Sequence, residues 1–300
     1  MKNFSEKERL CETAFDSGGP YWHAYTSGKD TPILFVNDEE LSYAMNIIAM
    51  EAYRCPRVRL IAFQLMNNHF HFVVSARMED IREFWSFLRK KLSRVFPSIS
   101  SIQFSIKPIE DLRSLRNNIV YTNRNGYVAN PDFTPFSYPW GTGRYYFMDW
   151  PGGSPMSGLS FDGKRKLFRC RTPQVPDEWV VKDGYVTPCG YCAIQFGMSM
   201  FRDAHHYFAM VSKNIESYKE VALDIDDSEF LTDAEVFAQI SRTLGAGYGV
   251  SALKELSRAQ KLDIARTMRR EWHASNGQIR RVLGLSQYDV DSIFPLSASR

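Results

Sequence analysis

The chain has 300 residues, 44% of them hydrophobic and 24% charged, with a formal net charge of +3. That composition supplies one large core or two and excludes an intrinsically disordered chain. A charge this small does not by itself announce a nucleic-acid partner, the apolar runs are too short to span a membrane, and five scattered cysteines do not make a disulfide framework. Reduced thiols and a cytoplasmic location are expected, since the first residues lack the apolar region of a secretion signal.

After a polar leader, Tyr21 to Thr26 alternates like a strand and Ser27-Gly28-Lys29-Asp30 closes it. Asn37 or Asp38 can cap a helix that runs to about Tyr53, with Leu41, Met45, Ile48 and Ala52 on one stripe and Pro56 beyond its end. Val58 to Leu65 and His69 to Ser75 read as two strands joined by a tight polar turn at Asn67. Side chains alternate along a strand, so His69 and His71 share one face and Phe70 and Phe72 the other. The histidine face can hold part of a metal shell, or its imidazoles can be satisfied by hydrogen bonds.

From Asp80 to Phe96, Ile81, Phe84, Trp85, Leu88 and Leu92 form an apolar helical stripe, with Arg82, Arg89, Lys90, Lys91 and Arg94 over much of the rest. That basic face suits a polyanion or simply water. Ile102 to Pro108 alternates as a fourth strand. The resulting order, βαββαβ, points to an α+β fold: a split βαβ, ferredoxin-like antiparallel sheet with helices on one face. Glu110 to Asn125 is expected to be helical, which puts Tyr121 and Asn125 on one face at i and i+4. A tyrosine oxygen can attack a phosphodiester and an amide oxygen can ligate a metal; equally, Tyr121 can pack and Asn125 or Gly126 can end the helix.

Taken together, Asn68-His69-Phe70-His71 on a strand, the basic helix, Tyr121 with Asn125, and Tyr138-Pro139-Trp140-Gly141-Thr142 resemble the HUH class of single-tyrosine transposases of small bacterial insertion sequences, most closely the REP-associated branch. In that family a strand reads Met-x-Asn-His-x-His, a helix Tyr-x-x-x-Asn-Pro, and a Tyr-Pro-Trp-Ser-Ser segment follows. Met66, Asn68, His69, His71, Tyr121, Asn125, Tyr138, Pro139 and Trp140 match in order, over residues 20 to 147. Asn67, Gly126 and Gly141-Thr142 depart from the pattern without removing a chemical group. The resemblance implies that His69, His71 and Asn125 hold a magnesium or manganese ion and that Tyr121 attacks single-stranded or hairpin DNA to give a 5′-phosphotyrosine. The basic helix at Arg89, Lys90, Lys91 and Arg94 would track the DNA backbone.

Residues 148 to 166 carry a glycine- and proline-rich linker signature with a basic end, Gly163-Lys164-Arg165-Lys166. Cys170, Cys189 and Cys192, with His205 or His206 as the nearest fourth ligand, lack the spacing of a zinc site and read as small buried thiols. From about Phe230 the pattern is helical, with Thr232 as a cap. Lys261 to Trp272 is a basic helix, Ser275 caps Gly277 to Leu283, and Gly284-Leu285-Ser286 turns into Gln287 to Phe294, a helix-turn-helix pattern. Arg280 and Arg281 would meet phosphate, and Gln287 and Tyr288 would begin a recognition helix, giving duplex DNA as a second partner. The expected domains are 1–148 (nuclease), 149–225 (connecting or inserted) and 226–300 (helical), in a monomer or homodimer without a membrane segment. The rival reading is a non-catalytic DNA-binding regulator that acts through the C-terminal helices.

Overall fold

The computed structural model describes residues 2–28, 31–129, 136–148, 152–213, 221–225, 231, 233–272, 274 and 276–294. The chain divides into two compact units, Met1–Tyr127 with Asp132–Asp227, and Val128–Pro131 with Ser228–Arg300.

The first unit contains a four-stranded antiparallel sheet, β1 (Tyr21–Thr26), β2 (Arg59–Leu65), β3 (Phe70–Ser75) and β4 (Phe104–Ile109), in the order β2-β3-β1-β4. This is the expected split βαβ topology. The crossovers are α2 (Asp38–Arg54) and α3 (Met78–Leu92). Asn37 caps α2, its side chain accepting from the Glu40 N–H, and Cys55 with Pro56 ends it. The apolar stripe of α3 is the one read from sequence: Ile81, Phe84, Trp85, Leu88 and Leu92 are all buried. They pack with Phe70, Phe72 and Val74 and the apolar face of α2 into one core. Phe84 meets Phe72 edge to face at 5.7 Å, and Trp85 stacks on Phe104 at 4.4 Å. Truncating Phe84 to alanine would cost about 3–5 kcal/mol.

The second face of the sheet carries Tyr21, Ile61, Ala62, Val73 and Ile109, covered by α4 (Leu112–Ala129) through Leu115, Ile119 and Val120. A bulge in β2 between Leu60 and Ala62 puts both Ile61 and Ala62 on this side. Asp111 caps α4, its carboxylate accepting from the Ser114 N–H at 2.8 Å and the Ser114 hydroxyl at 2.7 Å. The polar leader is a helix, α1 (Lys2–Asp16), because Cys11, Ala14 and Phe15 recur at helical spacing and Cys11 is buried.

Residues 156–211 add a further layer. The linker signature includes a helix, α5 (Phe161–Phe168), capped by Ser160, which corrects the expected loop: Ser160 accepts from the Gly163 N–H and outweighs the flexible composition around it. A small sheet pairs β5 (Ser154–Pro155), β6 (Val180–Lys182) and β7 (Tyr185–Val186). Asp183 and Gly184, both at positive φ, join β6 to β7 as a two-residue hairpin. Buried Asn46 of α2 holds this layer, accepting from the Val186 N–H at 2.8 Å and donating to the carbonyls of Gly184 and Leu167. Two helices, α6 (Ile194–Ser199) and α7 (Ala204–Lys213), follow.

The second unit is helical: α8 (Asp233–Thr243), α9 (Arg258–Glu271), α10 (Asn276–Leu283) and α11 (Gln287–Ile293). Ile264, Met268, Ile279, Leu283, Leu285 and Val290 share its core, with Val282 and Ile293 packed against it. Gly284, at φ +61°, makes the turn between α10 and α11. The caps expected at Thr232 and Ser275 lie outside the described residues. No helix among the described residues is long and apolar enough to cross a membrane.

Candidate active site

Register sets the site. Tyr25 of β1 and Gln64 of β2 flank His71 of β3, so these three side chains share a row, and His23 and His69 lie on the same face. Helix α4 lays Tyr121 over this face. Its ring centroid is 5.5 Å from that of His71 and 6.0 Å from that of His23, edge to face in both cases. The His69 and His71 rings are perpendicular with centroids 4.8 Å apart. Two sequence segments about fifty residues apart thus converge on one buried pocket of imidazoles and phenol.

For neutral imidazoles the hydrogen bonds select one tautomer each. Asn68 donates its amide nitrogen to the carbonyls of Gly28 and Thr31, so its oxygen faces His69 Nδ1 at 2.6 Å and accepts its proton. His69 Nε2 is therefore the unprotonated nitrogen. Asn118 donates to the Ser114 carbonyl, and its oxygen accepts from His23 Nδ1 at 2.6 Å. His23 Nε2 then accepts from His71 Nδ1 at 3.1 Å, which leaves His71 Nε2 unprotonated as well. In both histidines of the motif Nδ1 is engaged within the protein, which leaves Nε2 as the atom that could ligate. The sequence reading missed His23 and Asn118, although the alternation of Tyr21, His23 and Tyr25 carried the signal for the first.

Asn125 lies one turn beyond Tyr121 and is fully buried. Helix α4 does not stop there, as an ending at Asn125 or Gly126 would require, but continues to Ala129. Gly126 is demanded by close approach: a Cβ at that position would overlap the Tyr138 ring and the Gln64 amide. Gly28 has the same role beside His69, where a Cβ would come within 2.9 Å of Nδ1. Thr142 also explains itself, since its hydroxyl donates to the Asn123 side-chain oxygen Oδ1 at 2.7 Å and accepts from the Phe63 N–H at 2.9 Å. Asn123 in turn donates to the Tyr207 hydroxyl, so α4 is braced on both sides.

The site is closed. Tyr121 has no exposed surface and packs with Tyr25, Val221, Ala222 and Ile225. The segment 221–225 covers the phenol, and Lys107 pairs with Asp224 at 3.2 Å beside it. Among the described residues no group of three or more His, Cys, Asp or Glu side chains could hold a metal ion. The side chains expected to ligate a metal, His69, His71 and Asn125, offer nitrogen and oxygen atoms and no carboxylate, a set that would fit an ion whose charge is balanced by a bound phosphate. Burial pushes the Cys189 thiol up to about 12 and that of Cys192 well above its usual value.

The remaining expected contacts stand apart. Arg89, Lys90 and Lys91 lie in the last turn of α3 and Arg94 just beyond its end, across the sheet from Tyr121. In the second unit Arg281 is paired with Asp233 at 2.8 and 3.2 Å, Arg280 is exposed, and Tyr288 is 78% exposed on α11. Gln287 opens that helix, and its side chain lies outside the described residues.

No protein-family model matches the chain, and no curated protein does. Among solved structures, a REP-associated tyrosine transposase bound to a REP hairpin is similar to it at 15% identity and a TM-score of 0.35. The match covers 45% of this chain and 87% of that one.

Proposed function

We propose that the chain is a metal-dependent single-stranded DNA endonuclease and strand transferase that acts through Tyr121. One observation carries the reading: His69 and His71, whose Nδ1 atoms are engaged by Asn68 and His23, meet Tyr121 on one face of the sheet. Asn125, on the same helix as the tyrosine, completes a neutral N,N,O donor set with His69 and His71 for magnesium or manganese. A divalent ion held there supplies Lewis-acid polarisation of the scissile phosphate. The phenol oxygen of Tyr121 attacks phosphorus in line, the P–O bond to the 3′ oxygen breaks, and a 5′-phosphotyrosine and a free 3′-hydroxyl result. The bond energy is kept in the phosphotyrosine ester, so the 3′-hydroxyl can reverse the reaction without a nucleotide.

The test is incubation of end-labelled hairpin DNA with manganese or magnesium, followed by denaturing electrophoresis, with Tyr121→Phe alongside. A metal-dependent covalent band that vanishes in the variant supports the reading; binding without an adduct contradicts it. The burial of Tyr121 beneath residues 221–225 favours a second reading, a DNA-binding regulator with a silent site. In it α10 and α11 would meet duplex DNA as a helix-turn-helix, through Arg280, Arg281, Gln287 and Tyr288.

A further inference from the structure

Across the sheet from Tyr121, helices α2 and α3 and residues 170–174 enclose a cleft of about 550 Å³. Arg54, Lys90, Lys91 and Arg94 line it, and Tyr53 and Phe87 form its aromatic walls. A second recess, of about 430 Å³, shares Cys170 with the first and is lined by Arg165, Lys166, Arg169 and Arg171. Some of this charge is answered locally, Arg54 by Glu51, Arg165 by Asp162 and Arg169 by Glu39. Among the described residues, Lys90, Lys91, Arg94, Lys166 and Arg171 form no close ion pair, although the buried Glu51 carboxylate also feels Lys91.

We propose that these two adjoining basic recesses form a second DNA-contact site, which grips the backbone of single-stranded DNA at a distance from the scissile phosphate. The inference rests on the reading of the chain as a protein that acts on DNA. Unpaired cations gathered on one surface repel one another, and a polyanion relieves that repulsion while releasing its own counterions. Tyr53, half exposed among those cations, offers a ring on which a base can stack, whereas the Phe87 ring is already covered by the Arg54 guanidinium. Lys90 and Lys91 lie in the last turn of α3 and Arg94 follows two residues past its end, so the three cations gather at that helix terminus. The two recesses joined at Cys170 form a track rather than one closed pocket with buried orienting groups, which favours a flexible strand over a small phosphate compound. The layer of residues 156–192 supplies half of this track, which gives that layer a function beyond packing.

The test uses the full chain and a fluorescent oligothymidine. Site-resolved alkylation of Cys170, read by mass spectrometry, should fall several-fold when the oligonucleotide is bound. Combined Lys91→Glu, Arg94→Glu and Arg171→Glu changes should weaken binding by more than about 10-fold and reduce the salt slope by roughly 2. Unchanged Cys170 alkylation at saturating oligonucleotide, or an unchanged affinity and slope in the variant, would overturn the proposal. So would displacement of the strand by micromolar pyrophosphate, which would assign the cleft to a small phosphate ligand. Protection of Cys170 without any tyrosine adduct would keep this site and remove only the nuclease reading.

Discussion

A buried imidazole ligates only through the nitrogen that has no proton, so the residue that sets the tautomer matters as much as the ligand. His23 does this for His71 through the Ser114, Asn118, His23, His71 chain of hydrogen bonds. On the proposed reading it is a positioning residue, and replacing it should act through His71. His23→Ala removes the acceptor for His71 Nδ1 and should weaken manganese binding about 10–100-fold. His23→Gln offers an amide oxygen in its place and should restore much of the affinity. The ¹⁵N shifts of His71 in the metal-free protein report the tautomer directly; a His71 unchanged in the alanine variant would remove His23 from the account. At Gly126 the expectation is steric. Gly126→Ala drives a methyl group into the Tyr138 ring and the Gln64 amide and should destabilise the first unit by about 1–3 kcal/mol, measured by urea unfolding.

The elements that surround the site decide whether it can be reached. Tyr121 is covered by Val221, Ala222 and Ile225, so a DNA phosphate can approach the phenol only when the segment 221–225 moves. Ile225→Asp buries a charge against Tyr25 and Tyr121 and should release the segment. Chemical nitration of Tyr121, followed by mass spectrometry, should then rise well above the wild-type level; equal nitration would mean that the segment is not the barrier. A second element-scale expectation concerns pH. Where α1 meets α7, burial holds His206 down at about 4, with the Arg202 and Arg116 guanidiniums acting in the same direction and Glu8 and Asp203 opposing them. The unfolded chain takes up this proton near 6.5 and the folded chain near 4, so the contribution is full above 6.5 and is lost as pH falls towards 4. Replacing His206 with glutamine should flatten urea stability across that window. If the wild type and the variant lose stability in parallel there, another group is responsible.

At the scale of the molecule, two units with separate cores should unfold in separate steps. Met268→Ala, in the core of the second unit, should lower one calorimetric transition by about 2–5 kcal/mol and leave the other in place; a single shared shift would contradict this. How far the sequence could be read follows from the same physics. The strands and crossover helices were legible because Phe70 and Phe72 alternate and Ile81, Phe84, Leu88 and Leu92 recur at helical spacing. The motif histidines and Tyr121 were legible as candidates, and the structure brings these three together. The layer after Met156 was not, since strands of two or three residues carry no period and its anchor, Asn46, sits more than a hundred residues upstream. Nor could local pattern show that α3 turns its cations away from the tyrosine or that residues 221–225 cover it.

The measurement that tests the central claim most directly is the mapping of the DNA-linked peptide. The protein is incubated with manganese and hairpin DNA, digested with trypsin and nuclease, and sequenced by mass spectrometry. The account predicts a nucleotide joined through a phosphate to Tyr121, within the peptide from Asn117 to Arg124. A linkage at any other residue, or cleaved DNA with no protein attached, would contradict it.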